Sequence, residues 1–361
     1  MRFIILFFTL CVLAACQQTP SELTMAEVVA IERPTYAKGF EIQHLSDSSQ
    51  LIILFNLESP GDTLQKIHWK PREINSIACV STTHISMLNH LNRLEDLKGV
   101  GFADRVLNPQ ARERIQSGHI ANISTGEDID AEIIYGMQPQ LMFVYPFGGQ
   151  SYDRFLKRGI GCVQISEYLE PHPLGRAEWI KVFGTLLNEK EKADSLFAAI
   201  ESQYNLIKTT VQQSALKQSS VFTATYSNGH WFSPPGNSFI AQAFSDAGAT
   251  YIYADSIKAG NIILPYEKLY EHVYNVDYWG KITFERDELT MQRIAQEDER
   301  LTQIKSYREG NIFYCNAATA DYHGDAIMEP QVILADLTAI FHPEILPEHQ
   351  PVYFKRIKAN Q

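Results

Sequence analysis

The sequence predicts an α/β fold of two lobes with mainly parallel sheets, joined by a single long helix and preceded by a β-hairpin extension. Three observations predict it. Short apolar strands alternate with helical stretches twice, over 77–165 and again over 221–341, as in parallel sheets covered on both faces. Between the two series, Leu196, Ala199, Ile200, Tyr204 and Ile207 recur at spacings of three and four, the stripe of one amphipathic helix. Ahead of both, Ile31 to Leu57 alternates apolar and polar residues around Ser46-Asp47-Ser48-Ser49, which is a hairpin pattern. Leu51-Ile52-Ile53-Leu54-Phe55 interrupts that alternation by being apolar on both faces.

The chain starts with Met1-Arg2, an apolar run from Phe3 to Leu13, and Leu13-Ala14-Ala15-Cys16. A basic start, a short apolar run and small residues form the layout of a signal peptide, and the run is shorter than the roughly 20 residues that span a bilayer. Cys16 directly after Leu-Ala-Ala resembles the lipobox of bacterial lipoproteins, so residues 1–15 are expected to be the signal peptide and Cys16 the site of lipidation. The expected location is then the periplasmic side of a bacterial membrane, held by the lipid. Residues 16–30 read as a polar tether and 31–70 as the N-terminal β extension.

The first lobe is assigned to 71–175. Ile77 to Val80 is a buried strand, and Ser81-Thr82-Thr83 caps a helix through Ile85, Leu88 and Leu91. Gly99-Val100-Gly101-Phe102 is a second strand. Asp130 to Met137 forms a helix closed by Pro139, with the strand Leu141–Val144 behind it, and Gly161 to Ile165 is a fourth strand. The linking helical segment is 176–213. Asn188 to Val211 contains neither Pro nor Gly, and a helix of about 25 residues is some 37 Å long and stiff. The second lobe, 214–361, resumes the rhythm with a strand at Val221–Tyr226, a helix at Ser238–Ala247 ending on Gly248, and a strand at Tyr251–Tyr253. A helix at Pro265–Val273, a strand at Asn311–Cys315 and a helix at Gln331–Phe341 stopped by Pro343 complete it.

Composition narrows the function classes. Apolar content of 45% and charged content of 20% are those of a folded globular protein. The net charge of −11 and the lack of any Lys/Arg stripe argue against nucleic-acid binding. Cys79, Cys162 and Cys315 each sit in an apolar, strand-like run without a CxxC partner, the setting of buried thiols that act as small hydrophobes. The G-x-S-x-G, H-E-x-x-H and P-loop patterns are all absent, which leaves a hydrolytic enzyme a remote alternative. The His residues are scattered, with no HxH or HxxxH, against a free-metal binder.

Four segments carry a family resemblance. They are Ile77 to His84; Ile129 to Val144 with Gln138-Pro139-Gln140-Leu141; Pro173-Leu174-Gly175-Arg176-Ala177-Glu178-Trp179; and Pro235 to Phe239 running on to Asp246-Ala247-Gly248-Ala249. In this order the chain resembles the class III solute-binding proteins of ABC importers, the iron-complex and cobalamin family, over most of 71–345. The resemblance implies two Rossmann-like lobes on a spine helix and no enzymatic activity. It implies capture of an iron chelate (siderophore) or corrinoid by a monomer, and delivery to an ABC permease and its ATPase. One acidic residue on each lobe is implied to dock the permease. Glu132 falls on the first-lobe position, while the second-lobe position near Gly236-Asn237-Ser238 holds no acid.

The ligand is expected between the lobes, at the carboxyl ends of strands. Thr83, His84, Tyr145, Phe147, Trp231, Trp279 and Tyr322 are the candidate contacts, with Thr82, Pro146, His230, Phe232 and His323 beside them. Aromatic residues on loops suit a large flat ligand. Arg105 and Lys258 are the nearest cations, which favours a neutral corrinoid or hydroxamate over an anionic catecholate. Haem, needing a Tyr or His ligand, and a free metal are the alternatives within transport. A scaffold that binds nothing is the alternative outside it.

Overall fold

The computed structural model describes residues 26–358 apart from 126–127, 147–150, 215 and 286. The signal peptide, Cys16 and most of the tether lie outside the described residues, as does Phe147. The N-terminal extension is larger than the expected hairpin. Val28–Glu32, Phe40–Leu45, Gln50–Phe55 and Thr63–Trp69 form a four-stranded antiparallel sheet in chain order, and its first strand starts inside the stretch read as tether. Ile42, Ile52 and Ile67 stand side by side across it, and Ile42, Ile52 and Leu54 are fully buried. Leu51, Ile53 and Phe55 on the other face are half-buried, which accounts for the doubly apolar strand.

The first lobe is a five-stranded parallel sheet in the order 161–164, 141–144, 77–79, 97–100, 121–122. Its strands carry helices at their carboxyl ends. Ser81 caps Thr82–His90 by accepting the Thr83 amide, and Asp130 caps Ala131–Met137 by accepting the amides of Glu132 and Ile133. The second lobe repeats the plan in the order 249–251, 219–223, 278–283, 312–316, with 355–356 added antiparallel. A small antiparallel sheet of 225–227, 230–233 and 262–264 stands beside it.

The link consists of Pro173–Glu178, Ile180–Leu186 and the 24-residue spine Lys190–Gln213. At 1.5 Å per residue the spine is about 36 Å long. It packs against Ile180–Leu186 and against Pro330–Phe341 of the second lobe. Tyr204 donates to Asp246 at 2.8 Å and Lys208 pairs with the same carboxylate at 3.0 Å, so the spine is fastened to the second lobe by polar as well as apolar contacts. One apolar core runs from the N-terminal sheet through the first lobe and the spine into the second lobe. Cys79, Cys162 and Cys315 are buried free thiols.

The loop between the first two strands is tied to the link by two buried carboxylates. Glu178 accepts the amides of Thr35, Tyr36 and Ala37 at 2.9, 2.8 and 3.0 Å. Glu170 accepts those of Lys38 and Gly39 and the indole N–H of Trp179. Tyr36 reaches the spine at Asn205, 3.1 Å away. The extension is thereby built into the two-lobed body.

Candidate functional site

A cavity of about 830 Å³ lies between the lobes, inside the range of small-molecule sites. Strand ends build it. From the first lobe come Ser81, Thr82 and Thr83 after strand 77–79, Phe102 and Arg105 after 97–100, and Tyr145 after 141–144. Gly101 can be no larger, because a Cβ there would stand 2.9 Å from the Val80 carbonyl oxygen. Phe102 follows at φ 52°, a left-handed backbone that costs about 1–2 kcal/mol for a residue with a Cβ. Tyr168, in the turn 167–169 ahead of the link, and Arg176 of helix 173–178 contribute as well. From the second lobe come Phe284 after 278–283 and Ala317, Ala318, Asp321 and His323 after 312–316.

The walls are aromatic. Phe284 and His323 stack with centroids 5.2 Å apart and planes 5° from parallel, and Tyr145 meets Tyr168 edge-on at 5.1 Å. Burial, reinforced by the charges of Arg176 and Arg105, lowers the His323 pKa, so its ring is neutral in the stack. Across the cavity mouth, Thr82 donates its hydroxyl to the His323 carbonyl, and Ser86 donates to Asp325 at 2.7 Å. These contacts join one lobe directly to the other.

Charge is the second feature. The Arg105 guanidinium lies over Phe102 at 4.7 Å and that of Arg176 over Phe239 at 4.1 Å. Neither makes an ion pair among the described residues, and the buried Nε of Arg176 has no hydrogen-bond partner. A desolvated donor without a partner is costly, and an anion entering the cavity would supply one. Asp321 stands opposite, with its pKa pushed up to about 6 by burial and by the neighbouring charge of Asp325. No group of three His, Cys, Asp or Glu side chains among the described residues is placed to hold a metal ion.

Residues 77–319 match the model of the family described as periplasmic binding protein. The chain belongs to the periplasmic binding protein family. It is 23% identical over 308 residues to an uncharacterized lipoprotein of Methanocaldococcus jannaschii, covering 82% of this chain and 71% of that one. A second uncharacterized lipoprotein of the same organism is 22% identical, with 69% of this chain matching 65% of its length. Among solved structures, a periplasmic binding protein of Veillonella parvula aligns with a TM-score of 0.63 at 14% identity, over 79% of this chain and 96% of that one. The periplasmic heme binding protein of Pseudomonas aeruginosa aligns at 0.61 and 14%, over 79% and 99%. The catecholate-siderophore binding protein VctP of Vibrio cholerae aligns at 0.61 and 16%, over 80% and 99%. These structural likenesses are of fold, two lobes with parallel sheets. The family is one of solute-binding transport proteins rather than enzymes.

In this periplasmic binding protein the sequence-derived candidates fall into three groups. Thr83 and Tyr145 line the cavity, as do Thr82, His323 and Arg105. Tyr322 is buried next to it, its ring edge-on to His323 at 5.3 Å. The expectation of direct contact for His84, Trp231 and Trp279 is corrected. His84 has no exposed surface and sits among Phe143, Tyr145 and Phe183, because it lies on the inner face of helix 82–90. Trp231 belongs to a strand rather than a loop, and Trp279 to the central strand of the second sheet. Both point into the second-lobe core, where Trp279 stacks on Phe222 at 5.4 Å. Lys258 does not line the cavity. Glu132 is exposed in the first turn of its helix.

Arg176, Phe102, Tyr168, Phe284 and Asp321 line the cavity without being among the contacts the sequence predicts. Four of them sit one to a few residues past a strand end, a signal the sequence does carry. Arg176 has no such signal, because its helix reaches the cavity only through the packing of the link.

Proposed function

We propose that this periplasmic binding protein captures an iron chelate and delivers it to an ABC permease. The observation that carries the reading is the interlobe cavity, which combines aromatic walls with the guanidinium groups of Arg105 and Arg176. Those two arginines reverse the earlier preference for a neutral cargo. A chelate bearing carboxylate or catecholate oxygens fits the cavity better than an uncharged corrinoid or hydroxamate, since guanidinium pairs with such oxygens in bidentate, charge-assisted hydrogen bonds. Solved neighbours named for heme and for a catecholate siderophore support this choice. One named for an Fe3+-hydroxamate system keeps the neutral class as the second reading.

Lipid attachment at Cys16 and a position on the periplasmic side belong to the same proposal, supported by relatives named as lipoproteins. Glu132 is the proposed first-lobe docking residue, exposed as docking requires. Calorimetric titration of the purified protein with a ferric tris-catecholate, haem, ferrichrome and cyanocobalamin tests the reading. Sub-micromolar binding of an anionic chelate is expected. Tight binding of cyanocobalamin alone would overturn the charge argument, and binding of none would overturn the proposal.

A further inference from the structure

The floor of the cavity holds a chain of hydroxyls that ends on a buried carboxylate. Thr83 Oγ1 is 2.6 Å from Glu167 Oε1 and 2.7 Å from Ser81 Oγ, and Ser81 Oγ is hydrogen-bonded to the Tyr145 hydroxyl. Glu167 has no exposed surface. An ionised carboxylate only accepts, and each hydroxyl has one proton to give. Thr83 therefore gives its proton to Glu167. Ser81 and Tyr145 then give their protons within the cluster, Ser81 to Thr83 and Tyr145 to Ser81 or Thr83. The second lone pair of Ser81 takes the Thr83 amide at 3.2 Å, and Tyr145 is hydrogen-bonded to Thr83 as well as to Ser81, so with Glu167 ionised the Tyr145 proton is held within this cluster. Burial raises the Tyr145 pKa, which keeps it a phenol with a proton to donate.

With that proton turned inward, Tyr145 offers lone-pair density to the cavity it lines. A proton on Glu167 changes the first link. With that proton on Oε1, the carboxylic acid donates to Thr83, and the chain can run the other way until the Tyr145 O–H points outward. We propose that the protonation state of Glu167 decides whether Tyr145 meets the ligand as a hydrogen-bond acceptor or as a donor. Glu167 is on this account a positioning residue that sets specificity without touching the ligand. The inference rests on the cavity being the ligand site.

The groups facing Glu167 act on its protonation in opposite directions. They are Thr83 and His84 of helix 82–90, Tyr145 after strand 141–144, the adjoining Tyr168, and Arg176 of helix 173–178. His84 Nε2 lies 3.9 Å from Glu167 Oε2 and contributes no charge, since burial lowers its pKa to about 3. Burial favours the acid form of Glu167, while the Thr83 hydrogen bond and the Arg176 charge oppose it. An anion seated on Arg176 weakens that opposition. An anionic ligand is thus expected to bring a proton onto Glu167 and to find Tyr145 as a donor.

The test needs no ligand. Infrared spectra of the whole protein from about pH 5 to 9 follow the carboxylic C=O stretch of Glu167, assigned by its loss in Glu167→Gln. Resonance Raman spectra follow the tyrosine doublet that distinguishes donating from accepting phenols, assigned by difference against Tyr145→Phe. The expected result is one shared midpoint for both signals and a pH-independent Tyr145 signal in Glu167→Gln. A Tyr145 signal that stays constant while Glu167 titrates, or a Glu167 band that never changes over the range, would overturn the proposal. If Glu167→Gln fails to fold, Glu167→Asp, which keeps a carboxyl group, assigns the band by its shift, and the shared midpoint is read with that assignment. Because no chelate is involved, failure here is separate from failure of the transport reading.

Discussion

Replacing Glu178 with Ala should loosen the join between the N-terminal sheet and the link between the lobes, leaving Glu170 to hold Lys38 and Gly39. The carboxylate is fully buried and accepts the amides of Thr35, Tyr36 and Ala37, with Lys181 Nζ at 3.0 Å as its counter-charge. In the variant those amides lose their acceptor. Thr35 is exposed and can turn to water, whereas Ala37 is buried and Tyr36 half-buried. An orphaned buried donor costs about 1–3 kcal/mol, and removing one partner of a buried ion pair costs about 3–5 kcal/mol in all. A loss of about 3–5 kcal/mol in urea unfolding is expected, which is much of the stability of a typical domain. Amide exchange at Tyr36 and Ala37 should accelerate, reporting that the loop has come free of Pro173–Glu178 and the spine. A loss below about 1 kcal/mol, within the range of ordinary surface substitutions and their neighbours, would refute the reasoning, as would unchanged exchange at Ala37.

Three further outcomes can be checked together. Arg176→Gln should weaken binding of a ferric tris-catecholate about 10- to 100-fold, the worth of about 1.5–3 kcal/mol for a charged hydrogen bond; stability should change little, because Arg176 pairs with no acid among the described residues. Asp321 holds its proton more tightly folded than unfolded, so its contribution to stability is complete below pH 3.8 and is lost as pH rises through about 6. Unfolding curves of Asp321→Asn should therefore lack that decline, and anion binding by the wild type should be tighter below pH 6 than above it. Glu132→Arg should leave ligand affinity intact and abolish uptake in cells; normal uptake would remove Glu132 from the docking surface.

The alternation of apolar strands with helices in 77–165 and 221–341, and the uninterrupted stripe of the spine, were determined by the sequence alone. They are local features: strand burial is written as an apolar run, and a 24-residue helix as a three-and-four spacing without Pro or Gly. Caps were legible for the same reason, since Ser81 and Asp130 act within three residues of themselves. The four-stranded N-terminal sheet was only half legible, because Val28–Glu32 is exposed along most of its length and carries no buried face to read.

Which aromatic residues face the cavity was decided by the tertiary structure. Trp231 and Trp279 have the composition of ligand contacts, yet strand pairing turns both toward the second-lobe core. Arg176 has the composition of a helix surface, yet the packing of Pro173–Glu178 between the lobes leaves its charge beside the cavity. The carboxylate of Glu167 acquires meaning only because helix 82–90 brings Thr83 within 2.6 Å of it across 84 residues of chain. Periodicity reports how much of a side chain is buried, since burial repeats with the local geometry of the backbone. What the side chain is buried against depends on contacts between distant segments, and no local pattern encodes those.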